Sequence, residues 1–285
     1  MPSQTRGAGR SDVSSTAHGT PARGTVLTRT IPGGSSGFRS RPAMIYLPPV
    51  LRADPRRQLP VIELLHGTPG ATTNWLDLGH AAATLDAFAA AHGGLAPIVV
   101  MPDINGTLHG DTECVRSPGG GDVERYLTTD VRGYVLSHFP ASRDPRRWSV
   151  AGLSEGGTCA IMLALRHTGS YSAFGDLSGL AGPTVKDRGV PSLTIKLLFS
   201  GSRQAYEQHE PLSLMRLHAY PSLGGWFECG AQDKATHAAQ GLLSAAARRA
   251  GITVHATTIP GRHSWKVWGP AFRQMLPWLW ARTSG

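Results

Sequence analysis

The sequence predicts a single α/β domain, built on a mostly parallel β-sheet with helices on both faces. Strand-sized apolar runs alternate with helical patterns along most of the chain, and this alternation is typical of parallel sheets covered by helices. The chain has 285 residues, which is enough to bury a large core without disulfides or metals. No apolar run approaches the roughly 18 residues that a membrane span needs, so no transmembrane segment is expected.

The predicted strands are short apolar runs bounded by turn residues. They are 26–31, 43–47, 61–65, 98–101, 148–153, 173–177, 226–229 and 253–259. The predicted helices have apolar residues at helical spacing. They are 81–91, 129–138, 155–166, 234–250 and 268–280. Two long stretches, 105–128 and 182–225, interrupt the alternation, and such excursions lie where ligands bind in open parallel sheets.

The N-terminal region carries most of the charge. The net charge is +9, and residues 1–57 contain nine arginines against two aspartates. Residues 1–23 lack apolar periodicity and are predicted to be a disordered basic leader, before a folded domain at 24–285. Residues 1–37 contain no aromatic residue, which argues against a nucleic-acid partner. Contact with an anionic surface such as lipid headgroups stays an alternative for the leader.

The sequence leaves the compartment and the thiol chemistry open. Residues 1–20 lack the apolar core of a secretory signal, so an exported protein would need a signal outside this sequence. The three cysteines, Cys114, Cys159 and Cys229, are too few for a disulfide framework, and which two of them are bridged, if any, is undecided. They show no metal-binding spacing, and neither a metal nor another cofactor is expected.

The segment Gly152-Leu153-Ser154-Glu155-Gly156-Gly157 is the strongest chemical signal. It lies between a predicted strand and a predicted helix, where a Gly-x-Ser-x-Gly motif exposes its serine on a sharp turn. Glycines two residues before and after the serine allow strand and helix to approach closely. We therefore predict that Ser154 is a nucleophile.

A serine nucleophile needs a base and an acid, which follow it in the order Ser, acid, His in this architecture. Of the six histidines after Ser154, only His263 lies in a loop after the last predicted strand. Asp233 follows strand 226–229 and is the predicted acid, although it is also suited to capping the next helix. Glu228, within that strand, is the rival acid.

The turn after the predicted strand 61–65 contains His66-Gly67-Thr68-Pro69-Gly70. A glycine-rich turn at this position lets a backbone N–H reach a developing oxyanion. The backbone amides of Thr68 and Glu155 are the predicted donors. His66 is predicted to shape this loop at the substrate-binding side.

Together these motifs resemble those of α/β-hydrolases, and more narrowly the esterase family that includes mycobacterial antigen 85 mycolyltransferases and esterase D. The run His-Ser-Trp-Lys-Val-Trp-Gly at 263–269 is similar to one near the end of antigen 85 proteins, and 226–230 resembles their cysteine-bearing strand. The similarity covers about residues 25–281. It implies an α/β-hydrolase fold and serine acyl-ester chemistry on a small-molecule or lipid ester.

Two departures argue against acyl transfer to trehalose. His66 stands where antigen 85 proteins carry an acidic residue that helps bind trehalose, and Asp233 takes the position of the acid in simpler esterases. The sequence therefore predicts a serine carboxylic-ester hydrolase. The alternatives are an antigen 85-like acyltransferase with a glycan acceptor, and a non-catalytic binding module. The intact Ser154, His263 and Asp233 argue against the binding module. The oligomeric state is not predicted.

Weaker signals surround the predicted site. Trp75 and Trp265 are candidates for walls of the substrate cleft, with core packing as the alternative for each. The segment 111–114, Asp-Thr-Glu-Cys, is interpreted as a loop or acyl-pocket segment in preference to a metal site. The apolar segment 193–199 fits a lid or acyl channel as well as ordinary packing.

Overall fold

Ten strands form the framework of the protein in a computed structural model that describes residues 23–118, 120–185 and 191–285. The strands are β1 (Thr25–Arg29), β2 (Ala43–Leu47), β3 (Val61–Leu65), β4 (Ile98–Met101), β5 (Arg116–Ser117), β6 (Gly121–Asp122), β7 (Trp148–Leu153), β8 (Ala173–Leu177), β9 (Gly224–Gly230) and β10 (Thr253–Ile259). Strands β5 and β6 form a small separate hairpin. The other eight form one sheet in the order β1-β2-β4-β3-β7-β8-β9-β10, antiparallel at β1-β2-β4 and parallel elsewhere.

Helices connect these strands. They are α1 (Val50–Ala53), α2 (Asn74–Asp77), α3 (Ala81–Ala91), α4 (Val123–Arg125), α5 (Arg132–His138), α6 (Glu155–Arg166), α7 (Pro191–Leu198), α8 (Arg203–Glu207), α9 (Pro211–Leu217), α10 (Lys234–Arg249) and α11 (Trp265–Thr283). A π-helical segment, Tyr126–Val131, joins α4 to α5. None of the helices in these described ranges is both long and apolar enough to cross a bilayer.

The central strands are covered on both faces because their side chains alternate between two cores. Every residue of β3, β4, β7, β8 and β9 is buried. In β3, Val61 and Leu65 pack into the core that also contains α6, whereas Ile62 and Leu64 pack into the core that contains α3 and α11. A strand buried on both faces must be apolar along nearly its whole length, which is why the sequence pattern predicts these strands well.

The predicted element boundaries differ from the structure mainly at the ends of elements. The first strand is Thr25–Arg29 instead of 26–31, and the last helix runs from Trp265 to Thr283 instead of 268–280, with two prolines inside it. The helix predicted at 129–138 begins earlier, as α4 and the π-helical segment. These boundaries depend on hydrogen bonds with distant segments, which local propensity does not encode.

The two excursions contain structure of their own. The first carries the β5-β6 hairpin. A disulfide joins Cys114, just before this hairpin, to Cys159 on α6. Cys229 is free and buried. The second carries α7, α8 and α9. Ile195 and Phe199 pack into the α6-side core, so the packing interpretation of 193–199 is the one that the structure favours over a lid. The predicted leader, 1–23, lies outside the described residues except for Arg23 and stays a prediction.

Glu63 is a carboxylate buried in the middle of the sheet. One of its oxygens accepts a hydrogen bond from the Tyr171 hydroxyl at 3.0 Å, and the other has no hydrogen-bond partner in the described part of the chain. Burial raises the pKa of Glu63 from 4.5 to about 8, although Tyr171 and Arg132 act to lower it. The folded protein therefore keeps a proton that the unfolded chain loses between these two pH values.

We expect the substitution Glu63→Gln to reduce the loss of stability at alkaline pH. Because the folded pKa is raised, the free energy of unfolding falls as pH rises from about 4.5 to about 8. A shift of this size corresponds to on the order of 3–5 kcal/mol. Urea unfolding at pH 5 and pH 8.5 should show that the free energy of unfolding decreases less between these two pH values for the variant than for the wild type. Equal decreases would contradict a buried, protonated Glu63.

Candidate active site

Ser154 stands on a sharp turn between β7 and α6. Its backbone has φ 53° and ψ −123°, a left-handed conformation that is uncommon for a residue with a side chain. Its N–H donates to the carbonyl of Leu177 at the end of β8. The strained turn lifts the hydroxyl above the carboxyl end of the sheet, as expected for the residue between the two glycines.

The flanking glycines are required by close contact. A Cβ at Gly152 would collide with the backbone of Gly156, and a Cβ at Gly156 would collide with the carbonyl of His66. Strand, turn and helix can therefore fold back so tightly only with glycine at both positions. The second contact also brings the turn after β3 against the beginning of α6.

The side chains of Ser154, His263 and Asp233 meet at this edge of the sheet. Nε2 of His263 lies 2.9 Å from Oγ of Ser154, and Nδ1 lies 2.6 Å from Oδ2 of Asp233. A carboxylate can only accept here, so Nδ1 carries the proton and the lone pair of Nε2 faces the hydroxyl. The imidazole is 39% exposed and therefore reachable by a substrate, whereas the Asp233 carboxylate is only 11% exposed. Each residue follows a parallel strand, which is why segments distant in sequence converge.

Asp233 does not use its side chain to cap the following helix. It occupies the N-cap position of α10, yet its carboxylate makes no capping hydrogen bond and accepts from His263 instead. The rival acid, Glu228, is fully buried in β9 and accepts a hydrogen bond from Nε1 of Trp226 at 2.9 Å. Burial raises the pKa of Glu228. The geometry therefore favours Asp233 as the partner of His263.

The turn after β3 lies directly beside Ser154. A Cβ built on Gly67 would approach within 3.0 Å of the Ser154 Cβ, so only a bare backbone fits there. The hydroxyl of the next residue, Thr68, donates a hydrogen bond to the carbonyl of Gly110 at 2.6 Å. Glu155 is the first residue of α6, where backbone N–H groups lack acceptors within the helix. The two segments that carry the predicted oxyanion donors therefore both adjoin Ser154.

His66 is buried in a network beneath this turn. Its Nδ1 is 2.8 Å from the Gly67 carbonyl, and its Nε2 is 3.2 Å from Oδ1 of Asp103. Arg41 binds both Asp103, at 2.5 Å, and the carbonyl of Gly70, at 2.9 Å. Although burial acts to raise it, the pKa of Asp103 is held well below its ordinary value by hydrogen bonds from His66 and Arg41. His66 is only 1% exposed, which favours support of the turn from below over direct contact with a substrate.

The side chain of Glu155 is buried although it follows the partly exposed Ser154. Its Oε2 accepts from Nδ2 of Asn105 at 2.7 Å, and its Oε1 accepts from the N–H groups of Thr112 and Glu113 at 3.2 and 3.1 Å. Burial raises the pKa of Glu155 to about 8, whereas the Asn105 hydrogen bond acts to lower it. The predicted segment 111–114 is therefore a loop whose backbone binds this carboxylate.

The two candidate cleft tryptophans differ in exposure. Trp75 is fully buried and donates from Nε1 to the carbonyl of Leu65 at 2.9 Å, so its burial favours core packing over a place in the cleft wall. Trp265 is partly exposed, and its ring packs edge-on against Trp75 and Trp268 with centroids 5.2 and 5.4 Å apart. His263 also packs edge-on against Trp268, at 4.8 Å. Trp265 remains the candidate for substrate contact.

Sequence reasoning missed the supports of the site. Asn105, Asp103 and Arg41 carry no motif, because their roles depend on contacts between segments far apart in the chain. The pairing of Cys114 with Cys159 could not be chosen among three cysteines. One signal was available in the sequence. Glu155 and Cys159 are four residues apart on one predicted helix and so share a helix face, which indicates that both side chains meet the same neighbouring segment. In the parts of the chain that the structure describes, no group of three or more His, Cys, Asp or Glu side chains could hold a metal.

The chain belongs to an esterase family. The model of the family described as "Putative esterase" matches residues 36–279, a range that contains all three residues of the Ser154–His263–Asp233 arrangement. An uncharacterized protein of Corynebacterium glutamicum is 34% identical over 259 residues, which cover 89% of this chain. The chain spans 60% of the length of that relative.

Solved structures show that the fold is the α/β-hydrolase fold. A ferulic acid esterase superimposes with a TM-score of 0.74 at 21% identity, covering 90% of this chain and 97% of its own. An S-formylglutathione hydrolase from Agrobacterium tumefaciens gives 0.74 at 20% identity, covering 93% and 97%. MPT51 of Mycobacterium tuberculosis gives 0.65 at 19% identity, covering 91% and 99%. The predicted fold class and family are confirmed.

Proposed function

We propose that this protein hydrolyses carboxylic esters through a covalent acyl-enzyme on Ser154. The observation that carries the proposal is the continuous hydrogen-bonded path from Ser154 through His263 to Asp233, with distances of 2.9 and 2.6 Å. A serine hydroxyl is a weak nucleophile unless a neighbouring base takes its proton. Membership of an esterase family supports ester chemistry at this path.

In the first half-reaction, Oγ of Ser154 attacks the ester carbonyl while its proton moves to Nε2 of His263. Asp233 stabilises the resulting imidazolium. The carbonyl oxygen becomes an oxyanion, for which the backbone amides of Thr68 and Glu155 are the donors. Collapse of this intermediate breaks the bond to the alcohol, which leaves with the proton from His263. Water then attacks the acyl-enzyme by the same steps and releases the carboxylic acid.

The position of α6 favours the negative charge that develops on the carbonyl oxygen. Glu155 begins a helix of 12 residues, and the N-terminal end of a helix carries a partial positive charge that stabilises an adjacent anion. The exposed imidazole and the partly exposed Trp265 leave the serine open to a small-molecule or lipid ester. No cofactor is needed, because every proton and electron pair in the cycle is supplied by Ser154, His263, water and the ester.

The acyl-enzyme is the test of this mechanism. Incubation with a series of p-nitrophenyl esters, from acetyl to long acyl chains, should release p-nitrophenol and increase the protein mass by one acyl group during turnover. Peptide mapping should place that group on Ser154. Trehalose added as acceptor distinguishes hydrolysis from acyl transfer to a sugar. Turnover with the acyl group on another residue, or no turnover with any ester, would contradict the proposal.

A further inference from the structure

One loop, residues 105–113, connects the two segments that carry the proposed oxyanion donors. On one side, the carbonyl of Gly110 accepts from the Thr68 hydroxyl at 2.6 Å, and the carbonyl of Leu108 accepts from the N–H of Gly70 at 3.0 Å. On the other side, the loop binds the carboxylate of Glu155. The separation between the turn after β3 and the start of α6 is therefore bridged by this loop.

The Glu155 end of the bridge consists of a fixed set of donors and acceptors. The carboxylate, which is 5% exposed, receives one N–H from the Asn105 amide and two from the backbone at Thr112 and Glu113. The Asn105 side chain cannot reverse its amide freely, because its Oδ1 accepts from the N–H of Thr112 at 3.1 Å. All of these donors require an acceptor at Glu155, which its ionised carboxylate supplies with both oxygens. Because the pKa of Glu155 is raised to about 8, the activities of the variants are compared at pH 9, where the carboxylate is ionised.

The disulfide ties the same loop to the same helix one turn later. Cys159 follows Glu155 by four residues, so both side chains lie on one face of α6. Cys159 is bonded to Cys114, directly after the loop residues that contact the carboxylate. The loop is thus attached to α6 at two consecutive points, whereas Thr68 and Gly70 attach it to the turn after β3.

We propose that Glu155 is a positioning residue whose buried carboxylate, acting through the loop 105–113, sets the distance between the two oxyanion donors. This inference rests on the proposed esterase function. It assigns a role to the Glu155 side chain that is separate from the role of its backbone amide. The side chain acts only through its neighbours and does not contact the substrate.

The substitution Glu155→Gln tests the proposal. The new amide group must face either the Asn105 amide or the two backbone N–H groups, so one donor opposes another. We expect kcat to fall about 10–100-fold, because misplaced donors lose part of the roughly 10²–10³-fold effect of an oxyanion donor, while KM changes less than about 3-fold. Affinity for a trifluoromethyl ketone, whose hemiketal oxygen occupies the oxyanion position, should fall by a factor similar to that of kcat/KM.

The double variant Asn105→Asp with Glu155→Gln provides a rescue. The glutamine carbonyl can accept from the backbone N–H groups, its amide can donate to the new aspartate, and the second aspartate oxygen can accept from Thr112. Every hydrogen bond and the net charge are preserved. We expect recovery to within about 3-fold of the wild-type kcat. A double variant as slow as Glu155→Gln would overturn the proposal.

Two further variants keep the test decisive. Glu63→Gln removes another buried carboxyl group, which binds Tyr171 instead of the loop, and should leave kcat unchanged. Thr68→Val removes only the hydroxyl at the other end of the bridge and should lower kcat about 10-fold, even where Glu155→Gln fails to fold. If the wild type hydrolyses esters and kcat is unchanged in Glu155→Gln or in Thr68→Val, this inference is overturned while the proposed function stands. A wild type that hydrolyses no ester would overturn the proposed function and this inference with it.

Discussion

The substitution Ser154→Ala should lower kcat for p-nitrophenyl acetate by at least about 10⁴-fold. The residual rate would be what the oxyanion donors and substrate binding supply without a nucleophile. The substitution removes the only atom that can form the acyl bond at this position. The Ser154 hydroxyl is hydrogen-bonded to His263, whose imidazole is exposed, so the folded state should keep its thermal midpoint within about 2 °C. Initial rates and thermal unfolding monitored by circular dichroism measure both quantities.

Ser178 provides a matched control for this experiment. It follows β8 as Ser154 follows β7, and its φ of 60° is close to the 53° of Ser154. Its buried hydroxyl has no hydrogen-bond partner within the described residues. Ser178→Ala should therefore retain wild-type kcat. A Ser154→Ala variant that keeps its activity, or a Ser178→Ala variant that loses it, would contradict the assignment of the nucleophile.

The substitution Asp233→Asn should lower kcat by about 10³–10⁴-fold. An asparagine can turn its amide toward Nδ1 of His263, which favours the tautomer with the proton on Nε2. Nε2 then cannot accept the proton of Ser154, and the imidazolium loses its counter-charge. The effect on stability should be small, because the carboxylate does not cap α10. Steady-state kinetics between pH 6 and 9 measure the loss.

Glu228→Gln is the matched comparison, since it replaces the rival carboxyl group, which lies within the strand that precedes Asp233. Its carboxylate contacts the Trp226 indole, and glutamine retains an oxygen that can accept this bond. We expect less than about a 5-fold change in kcat. A larger loss in Glu228→Gln than in Asp233→Asn would move the role of the acid to Glu228.

Much of the fold was predictable from local sequence. The strands β2, β3, β4, β7, β8 and β10 were predicted with the bounds that the structure shows, because each is a short run rich in apolar or β-branched residues between turn residues. The short edge strand β1 and the ends of the last helix were misplaced, since exposed pairing and helix termini depend on their neighbours. The helices of the second excursion, α7 to α9, were not predicted as helices because they are short and their apolar patterns are incomplete.

The arrangement of Ser154, Asp233 and His263 follows from chain order, because each follows a strand of one parallel sheet and the carboxyl ends of such strands share an edge. The roles of Trp75 and His66 could not be decided in this way. Both lie in or near the turn after β3 in sequence. In the structure, however, Trp75 is buried in the core, and His66 is buried against Asp103. Exposure is a property of the packed molecule and has no local signal in either segment.

The sequence by itself determined the family resemblance, the parallel sheet and the three residues, Ser154, Asp233 and His263, that meet at its carboxyl edge. Strand burial and turn geometry act over a few residues, so composition and spacing record them. Only the tertiary structure decided that Cys114 pairs with Cys159, and that Glu155 buries its carboxyl group against a loop some fifty positions earlier. Those contacts join segments whose approach is set by the packing of the whole sheet and its helices, and no short stretch of sequence contains that information.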